Sequence, residues 1–345
     1  MTRTHLELLH PLRSGQLASR PSPVVTLLGL AAAIVAMLLP ITATAQPYPS
    51  KPVRYIVPFP AGATPDIVAR LVADRFSRMW GQQVVVDNRP GAGGTVGAAF
   101  AAKSPPDGYT LFQCNIASSA IAEALYAKLP YDPQRDFAPL SRIGTTASML
   151  VVHPSLPAAS LQEFIAYARA NPGKLSYGAS AAGASPQLAM ELFKLTAKIE
   201  VVHIAYKGAP QALSDVIGGQ IAVSMQTAPA VLPALHGARV RALAVTSLKR
   251  MAQFPAVPTF DESGFPGFEV TTWYGLCAPA GTPVPILDKV HGDLVAVLHS
   301  AEVIERFDEQ MLTPAPLSRA EFAQFIRAEA VRWAKVVRAA GIPQL

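Results

Sequence analysis

Apolar stretches alternate with amphipathic stretches along most of the chain. "VRYIVPF" (Val53–Phe59) predicts a strand, and the apolar spacing over Asp66–Met79 predicts a helix with one apolar side. "QQVVVDN" predicts a second strand, an alanine-rich helix follows Gly94, and "GYTLFQC" (Gly108–Cys114) predicts a third strand. This βαβαβ order predicts a parallel sheet covered by helices.

A second α/β unit begins near "SMLVVHP" (Ser148–Pro154). The capping box from Ser160 to Glu163 predicts a helix start, because its two side chains can bond free backbone N–H groups there. Ser185 is expected to cap another helix, with proline at the first helical position. Further strands and a helix over Pro210–Ile217 complete this unit.

The chain returns to the first unit after the second. Residues 253–281 are rich in proline and glycine, which indicates a crossing segment. A second capping box, from Ser318 to Glu321, opens a long amphipathic helix that is expected to end at Gly341. Two α/β units joined in this way leave a cleft at the carboxyl ends of their strands, where open α/β sheets bind ligands.

The first 45 residues have the pattern of a removable secretory signal peptide. Three arginines precede an apolar run (Val24–Leu39), and an A-x-A cleavage site, Ala43 to Ala45, comes directly before Gln46. A membrane anchor is the alternative, but the run is short and ends in proline and small residues. We therefore predict a periplasmic protein whose mature chain starts at Gln46.

Composition excludes some classes of function. The chain has 29 Lys and Arg against 23 Asp and Glu, a formal net charge of +6, and its basic residues are scattered. Without a basic stripe or interleaved aromatic residues, nucleic-acid binding is not predicted. The histidines after the signal peptide lack metal-site spacing, so we predict no metal and no cofactor.

The chain has two cysteines, Cys114 and Cys277, each in an apolar, strand-like segment. They could form a disulfide in an oxidising compartment. Two buried thiols are the simpler interpretation, and the sequence slightly favours it. Neither cysteine lies in a C-x-x-C pattern, so redox catalysis is not predicted.

A glycine cluster, G-x-G-G-x-x-G from Gly91 to Gly97, follows the second predicted strand. It lacks the lysine of a phosphate-binding P-loop and misses the dinucleotide-binding spacing. Free N–H groups around Gly93, Gly94 and Thr95, at a strand-to-helix turn, would favour an anion such as a carboxylate. Thr95 could add a hydroxyl or serve as the helix N-cap. A tight turn whose glycines serve packing alone is the alternative.

Catalytic motifs find little support. "YGASAAG" gives G-x-S-x-A rather than the G-x-S-x-G nucleophile elbow. A secreted enzyme acting on a carboxylated substrate remains the main alternative to a binding protein, since a catalytic triad can be assembled from distant residues. A scaffold or adhesion protein would not need an anion-binding loop.

Four long stretches carry a family resemblance. "YPSKPVRYIVPFPAGATPDIVARLVA", "VVVDNRPGAGGTVGAAFAAKSPPDGYTL", "AYKGAPQALSDVIGGQI" and "VRALAVTSLKRMAQFPAVPTFDESGFPGFEVTTWYGLCAPAGTP" resemble the Bug receptors, the extracytoplasmic solute-binding proteins of tripartite tricarboxylate transporters. The resemblance implies an α/β, two-lobed periplasmic binding protein of type II-like architecture. It implies a lobe of residues 46–147 and 275–345 and a lobe of residues 148–274, joined by hinge strands.

The resemblance also implies a function. A small carboxylate, an organic acid or an acidic amino acid, would be captured between closing lobes and delivered to two membrane subunits of a transporter. Some members of the family instead supply a signalling sensor with ligand. The protein itself is expected to be a monomer and not an enzyme.

Three loops of the family correspond to residues 58–66, 88–97 and 177–188. The residues expected to contact or shape the ligand site lie on them and are Phe59, Ala61, Gly62, Asp66, Gly93, Gly94, Thr95, Ser180, Gly183, Ser185 and Gln187. Phe59 would be an apolar wall or a core residue, and Ser185 a ligand contact or a helix cap. Asp66 is expected to shape the first loop rather than to touch the ligand.

Several positions depart from the family pattern. Ala63 stands where a second glycine is usual, Thr95 where asparagine is frequent, and Ala184 where serine is frequent. Gln187 replaces a frequent histidine, and Ala222 a common aspartate. These departures predict a retained grip on the carboxylate and an altered specificity surface.

Overall fold

The computed structural model describes residues 48–179, 183–339, 342 and 344. The predicted signal peptide, Ser180 and the helix end expected at Gly341 lie outside the described residues. The α/β class predicted from the sequence is confirmed.

The first group of elements follows the predicted βαβαβ order. The elements in chain order are β1 (Val53–Val57), α1 (Thr64–Trp80), β2 (Val84–Asn88), α2 (Thr95–Ala102) and β3 (Thr110–Phe112). β1 lies between β2 and β3 and pairs with both in parallel. The helix α1 begins two residues before its predicted start.

A short connection and a long strand come next. They comprise a π-helical turn (Ala117–Ile121), α3 (Ala122–Leu125) and β4 (Phe137–Val152). The apolar pattern predicted a strand from Ser148 and the hinge was expected near Ser141–Val151, whereas β4 begins at Phe137. Several small and polar residues interrupt the apolar pattern in the first half of β4, so the pattern does not predict a strand there, although that half pairs with β9.

The second α/β unit contains one helix that the sequence pattern did not predict. Its elements are α4 (Leu161–Ala170), β5 (Ser176–Gly178), α5 (Ser185–Ala197), β6 (Val202–Ile204), α6 (Ala209–Ile217), β7 (Val223–Thr227), α7 (Ala228–His236) and β8 (Arg241–Val245). The additional helix is α7, which contains two prolines. β5 pairs in parallel with β6 and β7.

The chain then returns to the first group, as predicted. The last elements are β9 (Thr271–Pro279), α8 (Val284–Leu298), α9 (Ala301–Glu309), β10 (Thr313–Pro314) and α10 (Arg319–Ala339). In the part of the chain that the structure describes, no helix is both long and apolar enough to span a bilayer.

The strands follow the order β2-β1-β3-β9-β4-β7-β5-β6, and β8 and β10 also pair with β4. Phe137–Ala147 of β4 pairs antiparallel with β9, whereas Ser148–Val152 pairs with β7 and β8. β4 therefore changes partners between Ala147 and Ser148. The antiparallel pair β4 and β9 connects the two α/β groups.

Both predicted capping boxes are confirmed. Ser160 Oγ accepts a bond from the Glu163 amide at 3.2 Å, and the Glu163 carboxylate accepts one from the Ala159 amide at 2.6 Å. At α10, Ser318 Oγ accepts a bond from the Glu321 amide, and the Glu321 carboxylate accepts one from the amide of Ser318 itself. The N-cap alternative for Ser185 and for Thr95 is wrong, because each is the first residue of its helix and the preceding residue is the N-cap.

The apolar stripe of α10 is buried as predicted, but it includes a carboxylate. Glu329 is 6% exposed, and its Oε2 accepts bonds from Trp273 Nε1 at 3.0 Å and Trp333 Nε1 at 3.1 Å. Buried charges are stabilised when hydrogen bonds replace lost hydration. This network fastens α10 to β9.

Cys114 and Cys277 form a disulfide, with their Cα atoms 5.9 Å apart. The preference for two free thiols is therefore wrong. Phe112 and Cys277 are partners in the β3–β9 ladder, which brings Cys114 close to Cys277. Composition alone cannot reveal this proximity, because the two residues are separated by 163 positions.

We expect purified, unreduced protein to show no reactive thiol in denaturant and two after reduction. Replacing both cysteines by serine should lower the free energy of unfolding by about 2–5 kcal/mol, because the cross-link restricts the unfolded chain. Thiol titration and chemical denaturation measure both quantities. Two reactive thiols before reduction would contradict the disulfide.

Candidate functional site

A small cavity with a volume of about 30 Å³ lies between the two α/β groups. Phe59, Asn115 and Tyr274 contribute to its wall from the first group and from β9, while Ser185 and Thr227 contribute from the second group. This volume is much smaller than that of a typical small-molecule pocket, so the two groups must separate before a ligand can enter. The cavity lies at the position that the sequence predicts for a cleft.

Four helices begin at this cavity. Its lining includes the first residues of α1, α5 and α6, which are Thr64, Ser185 and Ala209, and also Thr227, which directly precedes α7. Each of these helices has proline in its first turn, and none has a side chain capping its start. The positive ends of four helix dipoles therefore lie in the cavity wall.

The first N–H groups of these helices have no intrahelical partner. Among the described residues, the backbone hydrogen bonds outside helices and strands include none donated by Thr64, Ser185 or Ala209. The nearby π-helical turn differs, since Asn115 Oδ1 accepts bonds from the Ala117 amide at 2.9 Å and the Ser118 amide at 3.2 Å. Unpartnered amides at dipole ends form a site that suits an anion.

Hydroxyl groups connect the two sides of the cavity. Thr64 Oγ1 and Thr227 Oγ1 lie 2.7 Å apart, and Ser185 Oγ lies 2.6 Å from Thr272 Oγ1. Burial raises the pKa of Tyr274, although hydrogen bonds with Thr64 and Thr227 oppose this shift. The phenol therefore stays neutral, and the polar part of the wall offers hydroxyl and amide groups rather than charges.

The other part of the wall is apolar. Phe59, Ala63, Ala117 and Ala184 form a separate cluster of buried side chains, here called the apolar cluster. Ala184 comes from the second α/β group and the other three residues from the first. All four line the cavity, so the two groups already touch beside it.

Asp66 organises the first loop, as predicted. Its carboxylate accepts bonds from the Gly62 amide, Arg70 Nε and Asn88 Nδ2, each at 2.9 Å. Burial alone raises the pKa of Asp66, but the bonds from Arg70, Gly62 and Asn88 outweigh it and hold the pKa below its usual value. Ala61 and Gly62 are exposed on this loop, and neither they nor Asp66 line the cavity.

The glycine loop lies behind the wall rather than in it. Gly93, Gly94 and Thr95 are buried, but they do not line the cavity. A methyl group at Gly94 would lie 3.3 Å from Pro58 Cβ and 3.4 Å from Phe59 Cε2. Gly93 and Gly94 also have positive φ values of 62° and 97°. These glycines let the loop pack closely against the residues that carry the Phe59 ring.

The facing loop of the second group is held by a glutamine. Gln187 Oε1 accepts a bond from the Gly183 amide at 2.5 Å, and Gln187 Nε2 lies 3.5 Å from His203 Nδ1. A side chain at Gly183 would collide with Leu125, which belongs to the first group. Gly183 and Gln187 therefore shape the loop behind the cavity wall.

The structure thus divides the predicted site. Phe59 and Ser185 line the cavity, whereas the other predicted residues within the described part of the chain lie behind it or beside it. Sequence reasoning missed Thr64, Ala209 and Thr227. A usable signal was present, because a small residue followed by proline starts all four helices at the cavity.

Comparison with known proteins decides the family. Residues 68–342 match the family described as "Tripartite tricarboxylate transporter family receptor". The chain belongs to this family of solute-binding receptors. BugT of Bordetella pertussis is 37% identical over 319 residues, which cover 92% of this chain and 97% of BugT. The resemblance inferred from the sequence is confirmed.

Solved structures agree with this assignment. An R. palustris protein solved with adipate is 36% identical with a TM-score of 0.85, covering 86% of this chain and all of that one. The periplasmic binding protein BugD is 31% identical with a TM-score of 0.83, and the match covers 86% of this chain and all of BugD. MatC from Rhodopseudomonas palustris, solved with bound malate, is 30% identical with a TM-score of 0.79, and the match covers 84% of this chain and all of MatC.

Asp66→Asn should lower the melting temperature at pH 7, because it removes a carboxylate that three donors stabilise. The lowered pKa means that this stabilisation is present above the unfolded pKa of about 3.9 and is lost as pH falls through the folded value. Thermal melts of wild type and variant should therefore converge in acid. If the difference in melting temperature between the wild type and the variant stayed constant from pH 7 to pH 3, this role of Asp66 would be contradicted.

Asp74→Asn is the matched control. Asp74 forms an exposed ion pair with Arg78 on the same helix, with 3.0 Å between Asp74 Oδ2 and Arg78 Nη2. Exposed pairs contribute little to stability. This variant should therefore melt close to the wild type at every pH.

Proposed function

We propose that this receptor binds a small carboxylate in the cavity between the two α/β groups and delivers it to a tripartite transporter. The observation that carries the proposal is the convergence of four helix N-termini, without capping side chains, on one cavity. The relatives solved with adipate and malate support a carboxylate as the ligand class.

Helix N-termini suit a ligand that must be released again. An ionised carboxylate is an acceptor only, with about four lone-pair sites for N–H and O–H donors. Amides and dipoles can satisfy it without a lysine or arginine, and no described residue lining the cavity carries a formal charge. The site therefore needs no ion pair, whose separation would oppose release.

We infer that residues 46–147 and 275–345 form one lobe and residues 148–274 the other. The change of β4 partners between Ala147 and Ser148 supports this division. The bond between Thr64 and Thr227 joins the two proposed lobes across the cavity, as expected for a closed form. β4 and β9 would act as the hinge when the lobes open to admit ligand.

The proposed location is the periplasm, after removal of residues 1–45. Family membership and the disulfide support it, since disulfides persist in oxidising compartments. The proposed partners are two membrane subunits of the transporter, to which a monomeric receptor delivers its ligand.

We infer that the protein is not an enzyme. Incubation of adipate, malate or hexanoate with stoichiometric protein should leave each acid unchanged in proton NMR spectra. Conversion of any of these acids would favour the secreted enzyme instead.

Ala209→Asp should weaken carboxylate binding by more than about tenfold, because it places a negative charge among the donors. An aspartate in the first turn of a helix interacts favourably with the dipole, so the variant should fold. Ala209→Asn has nearly the same size without the charge and should bind more tightly than the aspartate variant. Calorimetric titration with hexanoate, adipate and malate measures these affinities. Wild-type affinity in Ala209→Asp would contradict the proposed site.

A further inference from the structure

The cavity wall is part polar and part apolar. The polar part comprises the helix starts with Thr64, Ser185 and Thr227 and the neighbouring hydroxyl groups. The apolar cluster of a phenylalanine and three alanines lies directly beside it, since two of its alanines immediately precede Thr64 and Ser185 in the chain. A ligand bound in this cavity meets donors for one charged group and hydrocarbon for the remainder.

Most polar side chains of the wall already have partners. Thr64 is bonded to Thr227, and Ser185 to Thr272. Asn115 Oδ1 accepts two amides, and its Nδ2 donates to the Gln113 carbonyl at 3.4 Å. One carboxylate can use the free amides of the helix starts. A second carboxylate against the apolar cluster would lose its hydration without replacement, which is strongly unfavourable.

Two alanines of the apolar cluster lie at helix starts. Ala63 and Ala184 are the N-cap residues of α1 and α5, where serine, threonine, aspartate and asparagine are usual. Their backbone conformations are extended, with φ near −74° in both, so a serine would fit either position. Alanine at both positions removes two hydroxyl groups from the wall and adds two methyl groups to the apolar cluster.

We propose that the ligand is a monocarboxylate with a short apolar body, and that Ala63 and Ala184 select it against dicarboxylates. This inference rests on the proposed function, because it places the single carboxylate at the helix starts. The apolar body then packs against Phe59 and Ala117, which lie in the same cluster. Burial of hydrocarbon, rather than a second polar contact, provides the additional affinity.

The test compares hexanoate with adipate, which have the same six-carbon chain and differ only in the second carboxylate. Calorimetric titration of the mature wild-type protein should give an affinity for hexanoate that is about tenfold or more higher. Equal or tighter binding of adipate would overturn the inference and leave the proposed function intact. Binding of neither acid, nor of malate, would overturn both.

The variant Ala184→Ser tests the selecting residue. Serine is a favourable N-cap, so this variant should be at least as stable as the wild type. Its hydroxyl makes the apolar cluster more polar, so the ratio of hexanoate to adipate affinity should fall about threefold or more. Ala63→Ser should act in the same direction.

The variant Ala301→Ser is the matched control. Ala301 is an exposed residue at the start of α9, outside the cavity lining, and the same change there should leave the affinity ratio at the wild-type value. An unchanged ratio in both Ala184→Ser and Ala63→Ser would overturn the selecting role of the apolar cluster.

Discussion

The antiparallel pairing of β4 with β9 connects the two α/β groups and sets their relative position. These strands run from one α/β group into the other, and the register from Phe137 to Ala147 fixes both groups relative to the same ladder. The carboxyl ends of the parallel strands then face a common gap, into which the following helices start. The disulfide joins β9 to the chain just after β3, and the Glu329 network fastens α10 to β9, so the connection is reinforced from two sides.

Placing helix starts around one cavity gives the site its chemistry without charged side chains. Each helix offers amides that its own geometry leaves free, and proline in the first turn fixes the backbone there while removing one donor. The hydroxyl pairs join the two sides of the cavity and leave backbone amides as the available donors. Binding in such a site depends on closure, because the donors come from both sides of the gap. The methyl groups of Ala63 and Ala184 then decide what the remainder of the ligand can be.

The sequence predicted the fold class, most strands and both capping boxes, because these depend on local periodicity and on side chains four positions apart or fewer. The site residues predicted from the sequence coincide only in part with the cavity lining. The glycine loop has every local feature of an anion site, and Gly94 also packs closely against Pro58 and Phe59, an interaction between distant segments. The Thr64–Thr227 contact and the disulfide each join residues 163 positions apart, and only the sheet topology brings them together. Prolines made α7 hard to predict, because they usually break helices; here Pro229 lies in the first turn, which accepts proline, and Pro233 lies inside the helix.

In the proposed site, backbone amides at helix starts hold the carboxylate. Amide chemical shifts measured on ¹⁵N-labelled mature protein, with and without saturating hexanoate, would detect this contact. The largest downfield changes are expected at the Thr64, Ser185 and Ala209 amides, which would donate to the bound carboxylate. Changes concentrated at Gly93, Gly94 and Thr95, with the three helix starts unaffected, would contradict it and return the anion to the glycine loop.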